Sequence, residues 1–144
     1  MEDTKKQEEL RDIVAQLEAH KRQLDALSRQ AQLIDSAILE IQTTISSLNY
    51  LKESKVGTEI LVSIGSDSFI RTKLENTEKV LIGVGANITV EKKVDDAIET
   101  LKSRGEDLSK TLEKLQKTAL DVNTRVSSLN SIAEKLLAEL QAKK

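Results

Sequence analysis

The hydrophobic pattern divides the chain into a helical stretch at each end and a different stretch between them. From about residue 4 to residue 53 the sequence contains neither Gly nor Pro, and apolar residues recur at alternating spacings of three and four. One heptad position holds Leu10, Leu17, Leu24, Ala31, Ile38 and Ile45, and the other holds Ile13, His20, Leu27, Ile34, Ile41 and Leu48. This sustained alternation predicts a coiled-coil helix.

The same pattern returns from about residue 91 to the C-terminus. One position holds Ile98, Gly105, Leu112, Ala119, Val126, Ala133 and Leu140, and the other holds Val94, Leu101, Leu108, Leu115, Val122, Leu129 and Leu136. Two heptad helices of similar length predict an antiparallel coiled-coil hairpin. In it we expect Gly105 to face Ile41, Ala119 to face Leu27 and Leu115 to face Ala31, because small residues opposite large ones give a dense seam.

The stretch from residue 58 to residue 93 is the only part with strand character. Four short runs carry apolar residues mostly at every second position, namely 59–64, 69–74, 79–84 and 87–90. Turn-forming residues separate the runs, so the pattern predicts two β-hairpins in tandem at the bend of the coiled coil. The predicted fold class is therefore α+β, with a first helix over 1–55, a double hairpin over 56–92 and a second helix over 93–144.

Composition and charge exclude several classes of function. The chain has no Pro, Cys or Trp and only one Phe and one Tyr, which is typical of a coiled coil. The 22 basic and 24 acidic side chains give a net charge of −2 without a basic stripe, so we expect no nucleic-acid partner. No apolar run is long enough to span a membrane, and the charged N-terminus does not resemble a signal peptide. We therefore expect a cytoplasmic protein without a membrane partner.

Candidate chemistry is sparse. The single histidine, His20, falls on the predicted seam, where a polar residue that helps to fix the register is favoured over a pH switch or a metal ligand. Residues 83–88 begin like a dinucleotide-binding motif but lack its third glycine and its following helix. With one His and no Cys, no nucleophile–base pair can be assembled. We expect neither enzymatic activity nor a cofactor or metal.

The apolar stripe widens where the two chain ends meet. The residues concerned are Leu10, Ile13, Val14, Leu17, Ile132, Leu136, Leu137 and Leu140. Two helices cannot cover all of these side chains, so part of this apolar surface should stay exposed. Such a surface marks either an interaction site or helix ends that simply carry extra Leu and Ile, and the sequence leaves both interpretations open.

The hairpin segments, ILVSIGSDSFI over 60–70 and VLIGVGA over 80–86, resemble those of archaeal prefoldin alpha subunits. The resemblance covers essentially the whole chain, and two hairpins rather than one favour the alpha over the beta class. It implies a hexamer of two alpha and four beta subunits whose hairpins join into β-barrels. It also implies that the coiled-coil tips hold non-native polypeptides without ATP and deliver them to a group II chaperonin.

On this resemblance the alternating apolar residues of the insert build the oligomer body, and the residues at the coiled-coil tip contact clients. The predicted oligomerisation residues are Ile60, Val62, Ile64, Phe69, Ile70, Val80, Ile82, Val84, Ile88 and Val90. A charge among them, for example in Ile82→Asp, is expected to dissociate the complex. The alternative function is a structural coiled-coil spacer or tether whose β insert only dimerises.

Overall fold

The computed structural model describes residues 1–142, which form two helices and four strands. The elements in chain order are α1 (Glu2–Glu53), β1 (Glu59–Gly65), β2 (Ser68–Lys73), β3 (Lys79–Gly85), β4 (Ile88–Lys93) and α2 (Val94–Ala142). This order confirms the predicted fold class. The last strand is longer than the predicted run 87–90, because residues 91–93 also pair with β3, and α2 begins at Val94.

Charges at the helix ends agree with the helix dipole. Glu2 and Asp3 lie in the first turn of α1 and Lys52 in its last turn. Asp95 and Asp96 lie in the first turn of α2, where acidic side chains interact favourably with the helix dipole.

The heptad positions of both helices are buried or half-buried along the described chain, whereas most of the residues between them are exposed. Ile13, Val122 and Leu136 are the most buried members in the part of the coiled coil that contains the chain ends. His20 is half-buried on the seam, as the heptad predicts. The predicted coiled-coil pattern is therefore present in both helices.

The first of two compact units comprises Met1–Ser36 and residues 109–142. The antiparallel register in this unit is visible at its end, where Lys6 Nζ lies 3.0 Å from Glu139 Oε2. Further along, the predicted partners Leu27 and Ala119 line one groove together, as do Ala31 and Leu115.

The second unit, Ala37–Leu108, holds the hairpins and the adjoining helical segments. Lys52 Nζ lies 2.7 Å from Asp95 Oδ1. The Cγ2 atom of Ile41 lies 3.7 Å from the position that a Cβ at Gly105 would occupy. Gly105 therefore faces Ile41 as predicted, at a distance where a Cβ would make an ordinary van der Waals contact.

Each hairpin is a separate two-stranded antiparallel sheet. In the first, Ile60 pairs with Thr72 and Val62 with Ile70, and the register shifts between Ser63 and Gly65. The second has the matching ladder and a matching shift between Gly83 and Gly85. Within the described residues no strand of one hairpin pairs with a strand of the other, so a closed barrel requires strands from further chains.

The hydrophobic core of the second unit lies under the second hairpin. Its buried members are Ile82, Ala97 and Leu101. Partly buried residues of α1 and of the hairpin pack against them, namely Ile41, Ile45, Leu48, Val80 and Val90. One face of the second hairpin is thus fixed to both helices of its own chain.

Candidate interaction surfaces

The described part of the chain contains no group of three or more His, Cys, Asp or Glu side chains placed to hold a metal ion. None of its helices is long and apolar enough to cross a membrane. The surfaces that stand out are instead apolar and exposed.

The first hairpin presents most of its apolar side chains to solvent. Val62, Ile64, Phe69 and Ile70 are all exposed, and only Ile60 of the predicted set is half-buried. Both of its strands have a free edge, because the sheet has only two strands. Unpaired backbone groups beside exposed apolar side chains favour pairing with another chain.

The second hairpin divides the predicted oligomerisation residues into two groups. Val80, Ile82 and Val90 pack on the core of the chain itself, whereas Val84 and Ile88 near the turn are exposed. A charge at Ile82 would therefore disturb the fold of the chain as well as any assembly. The exposed residues of both hairpins are cleaner probes of assembly.

A groove of about 640 Å³ lies between α1 and the first hairpin. Its helix wall consists of small hydroxyl side chains, Thr43, Thr44, Ser46 and Ser47, beside Leu48, Tyr50 and Leu51, and its hairpin wall consists of Ile60, Leu61 and Leu74. Thr43, Thr44 and Ser47 each donate a hydrogen bond to the carbonyl four residues earlier in the helix. Because these hydroxyls are already satisfied and none of the lining residues is charged, an apolar side chain can enter at little desolvation cost.

The apolar residues predicted near the chain ends differ in their exposure to solvent. We call this region the tip. Ile13 and Leu136 are buried in the seam, and Leu10, Leu17 and Leu140 are half-buried. The three residues outside the seam positions, Val14, Ile132 and Leu137, are 42% to 47% exposed. The tip therefore leaves apolar surface in solvent, as the widened stripe predicted.

An ion pair borders the tip. The hydrogen bond from Lys6 to Glu139 and the charge of that carboxylate raise the pKa of Lys6 above its ordinary value, and the carboxylates of Glu2 and Asp3 act in the same direction. Lys6 thus remains charged at neutral pH and keeps this edge of the tip polar.

Sequence reasoning missed several exposed apolar residues. Leu33 and Leu120 lie on the helices outside the heptad seam, and Leu61 and Leu81 lie on the strand faces opposite the alternating residues. A signal for the strand pair was present, because β1 and β3 each contain an unbroken apolar run around Leu61 and Leu81. Such runs indicate strands that are covered on both faces.

Comparison with known proteins gives a consistent result. The family model described as prefoldin subunit matches residues 20–139. The prefoldin subunit alpha of Methanobrevibacter smithii is 32% identical over 135 residues, which cover 94% of this chain and 92% of the relative. That of Methanococcus maripaludis is 35% identical over 119 residues, covering 83% of this chain and 76% of the relative.

Solved structures agree. The fold is similar to a chain of the filamentous PFD of Methanocaldococcus jannaschii, with a TM-score of 0.59 and 25% identity over 90% of this chain and 98% of that one. It is also similar to the prefoldin beta subunit of Thermococcus strain KS-1, with a TM-score of 0.57 over 88% of this chain and 90% of that one, where 16% identity supports the fold alone. These matches confirm the resemblance seen in the hairpin segments, and they show that the chain belongs to the prefoldin family.

Proposed function

We propose that this chain, a subunit of a chaperone family, holds non-native polypeptides at its coiled-coil tip without ATP and passes them to a group II chaperonin. The observation that carries the proposal is the exposure of Val14, Ile132 and Leu137 beside a seam that is otherwise covered. An apolar patch with a charged border is typical of a surface that binds other chains. The proposal includes a cytoplasmic location.

The partners we propose are prefoldin beta subunits, in a hexamer of two alpha and four beta chains. The free strand edges and the exposed Ile64, Phe69 and Leu61 of the first hairpin support this assembly, because an isolated two-stranded sheet is marginal in water. In such a body the exposed residues Val84 and Ile88 of the second hairpin face neighbouring chains as well.

The proposed mechanism depends on several weak contacts that are made at the same time. Three half-exposed aliphatic side chains on one tip provide only a modest apolar surface. Several tips around one client convert weak contacts into useful avidity, because each further contact forms at high effective concentration. Weak individual contacts also allow the client to leave for the chaperonin without nucleotide hydrolysis.

The test uses the chain assembled with its beta partner and a chemically denatured model protein diluted without ATP. We expect the intact complex to suppress light scattering, and a variant combining Val14→Ser, Ile132→Ser and Leu137→Ser to lose most of this effect. The sizes of both complexes are compared by light scattering after chromatography, so that loss of assembly is distinguished from loss of client binding. A fully active triple variant would contradict client binding at the tip.

A second candidate function is a self-assembling spacer, and the similarity to the filamentous PFD favours it. In that case the chain alone should form long assemblies in electron micrographs. It should also fail to suppress aggregation when its beta partner is present.

A further inference from the structure

The coiled coil of the first unit has two different sides. We letter the heptad so that Leu10 and Ala119 are a residues and Ile13 and Leu115 are d residues. Because the helices are antiparallel, the e residues of both helices flank one side of the seam and the g residues flank the other. We call these the e side and the g side.

Charge separates the two sides. The e side carries Val14, Ser28, Gln116, Asn123, Asn130 and Leu137. Among the described residues of this unit its charged members are Lys21 and Asp35, both on α1. The charged residues of the g side are Glu2, Glu9, Arg125 and Glu139, and Glu139 holds Lys6 in the ion pair at the tip. The third exposed tip residue, Ile132, also lies on the g side. The e side is thus the less charged of the two.

A groove opens on the e side further along the coiled coil. It has a volume of about 430 Å³, and its floor contains Leu24, Leu27, Ala31, Leu115 and Ala119. Its rim includes the e residues Ser28, Gln116 and Asn123 and one charged residue, Asp25. The cause lies in the seam, where Ala119 opposes Leu27 and Ala31 opposes Leu115. Each alanine leaves a gap that a larger residue would fill. Leu120, which follows Ala119, is 66% exposed at the b position bordering this side.

We propose that the e side, from Leu137 and Val14 to this groove, is one continuous track for an extended, uncharged segment of a non-native polypeptide. The inference rests on the proposed function and extends it beyond the tip. The distance along the helix axis from Leu137 to Leu115 is about 33 Å at a rise of about 1.5 Å per residue. An extended chain of about ten residues has this length.

The chemistry of the track fits such a segment. Its two ends are mainly apolar, and Asn123, Asn130 and Lys21 lie between them. A carboxamide both donates and accepts hydrogen bonds, so these side chains can satisfy the free N–H and C=O groups of an unfolded backbone. A second copy of the coiled coil fits less well, because coiled-coil pairing is directed by opposite charges at flanking positions, and the e residues of α2 in this unit carry no charge.

The experiment measures binding of two fluorescent peptides, of six and twelve residues, to the complex assembled with the beta partner. Both peptides are uncharged and carry Leu and Phe among Ser and Thr. Ala119→Leu fills the groove, Leu120→Ser removes its exposed neighbour without touching the seam, and Leu137→Ser alters the tip. The matched control is Leu33→Ser, since Leu33 is 72% exposed in the same unit but borders the g side at position c.

We expect Ala119→Leu and Leu120→Ser to raise the Kd of the twelve-residue peptide about fivefold each, as for the loss of one apolar contact, and to leave the six-residue peptide unchanged. Leu137→Ser should weaken the binding of both peptides, and Leu33→Ser should weaken the binding of neither.

If only Leu137→Ser has an effect, clients bind at the tip alone, which overturns the track and leaves the proposed function intact. If the groove variants change the mass of the complex but not peptide binding, the groove holds a second copy and the track is overturned. If no variant changes peptide binding or aggregation, both proposals fail.

Discussion

The two β-hairpins have the same strand pairing but differ in how deeply their equivalent side chains are buried. Each pair in the first hairpin recurs in the second with both numbers raised by twenty, so that Glu59 opposite Lys73 becomes Lys79 opposite Lys93. The turns match as well, since Ser66 and Asp67 have φ angles of 49° and 57° and Ala86 and Asn87 have 50° and 59°. Equivalent residues can therefore be compared directly.

The burial of equivalent residues is very different. Ile82 is 8% exposed in the core, whereas its equivalent Val62 is 40% exposed. Hydrogen bonds to α2 add to the difference, because Arg104 donates to the Gly83 carbonyl and Lys92 Nζ donates to Thr100 Oγ1 at 3.1 Å. The second hairpin is thus part of the fold of its own chain.

Chain connectivity explains the difference. Strand β4 continues into α2 without a loop, which holds the second hairpin against that helix. Residues 54–58 separate α1 from the first hairpin, and residues 74–78 separate the two hairpins. The second hairpin therefore completes the core of its own chain. The first hairpin has the same strand pairing but leaves an apolar surface for another chain.

The largest expected effect is on stability, from Ile82→Ala compared with Val62→Ala. Ile82→Ala should lower the free energy of unfolding of the full chain by about 2–4 kcal/mol, because it leaves a cavity in the core. Val62→Ala should cost less than about 1 kcal/mol, because its side chain is already partly in water. Urea titrations followed by circular dichroism measure both, and equal losses would show that the chain packs its two hairpins alike.

A smaller effect is expected on assembly, from Phe69→Asp compared with Thr89→Asp. The two positions are equivalent and both are exposed, but only Phe69 offers a large apolar surface. Phe69→Asp should raise the concentration at which the complex with the beta subunit dissociates by at least about tenfold, or about 1.4 kcal/mol.

Thr89→Asp serves as the control and should shift this concentration less than about threefold, equivalent to about 0.65 kcal/mol. Analytical ultracentrifugation at a series of concentrations gives both values. A larger effect of Thr89→Asp would make the second hairpin the principal contact and reverse the comparison.

Amide hydrogen exchange reports the same difference without mutation. In the isolated chain, the ladder amides of β1 and β2 should exchange about tenfold faster than those of β3 and β4, because the first hairpin can open without the core. The difference should disappear in the complex with the beta subunit. Equal rates in the isolated chain would mean that the groove beside α1 holds the first hairpin more firmly than its exposure indicates.

The fold could be predicted from the sequence because its signals are local and repeated. The heptads around Ile13 and Leu136 fix the seam, and the register follows from placing Gly105 opposite Ile41. The tip was predicted in outline for the same reason, since Val14, Ile132 and Leu137 fall outside the seam positions and are exposed.

The unequal packing of the hairpins could not be predicted. Val62 and Ile82 lie in runs with the same alternation, and only the tertiary path of the chain decides which of them is covered. The groove at Ala31 and Ala119 was missed for another reason. These residues were expected to pack against larger partners, but the depth of the remaining gap depends on backbone separation rather than on residue type.

The smallest expected effect comes from the turns, through Ala86→Gly compared with Ser66→Gly. Both residues have a φ near +50°, where a Cβ costs about 1 kcal/mol, and the greater freedom of glycine in the unfolded chain offsets about half of the gain. Ala86→Gly should stabilise the full chain by about 0.5 kcal/mol, because the second hairpin unfolds together with the core. Ser66→Gly should leave the Tm of the isolated chain unchanged, because the first hairpin opens separately, yet raise that of the complex with the beta subunit. If Ser66→Gly instead raises the Tm of the isolated chain as much as Ala86→Gly does, the first hairpin unfolds together with the helices. Its exposed apolar face would then not indicate that it unfolds separately from the core.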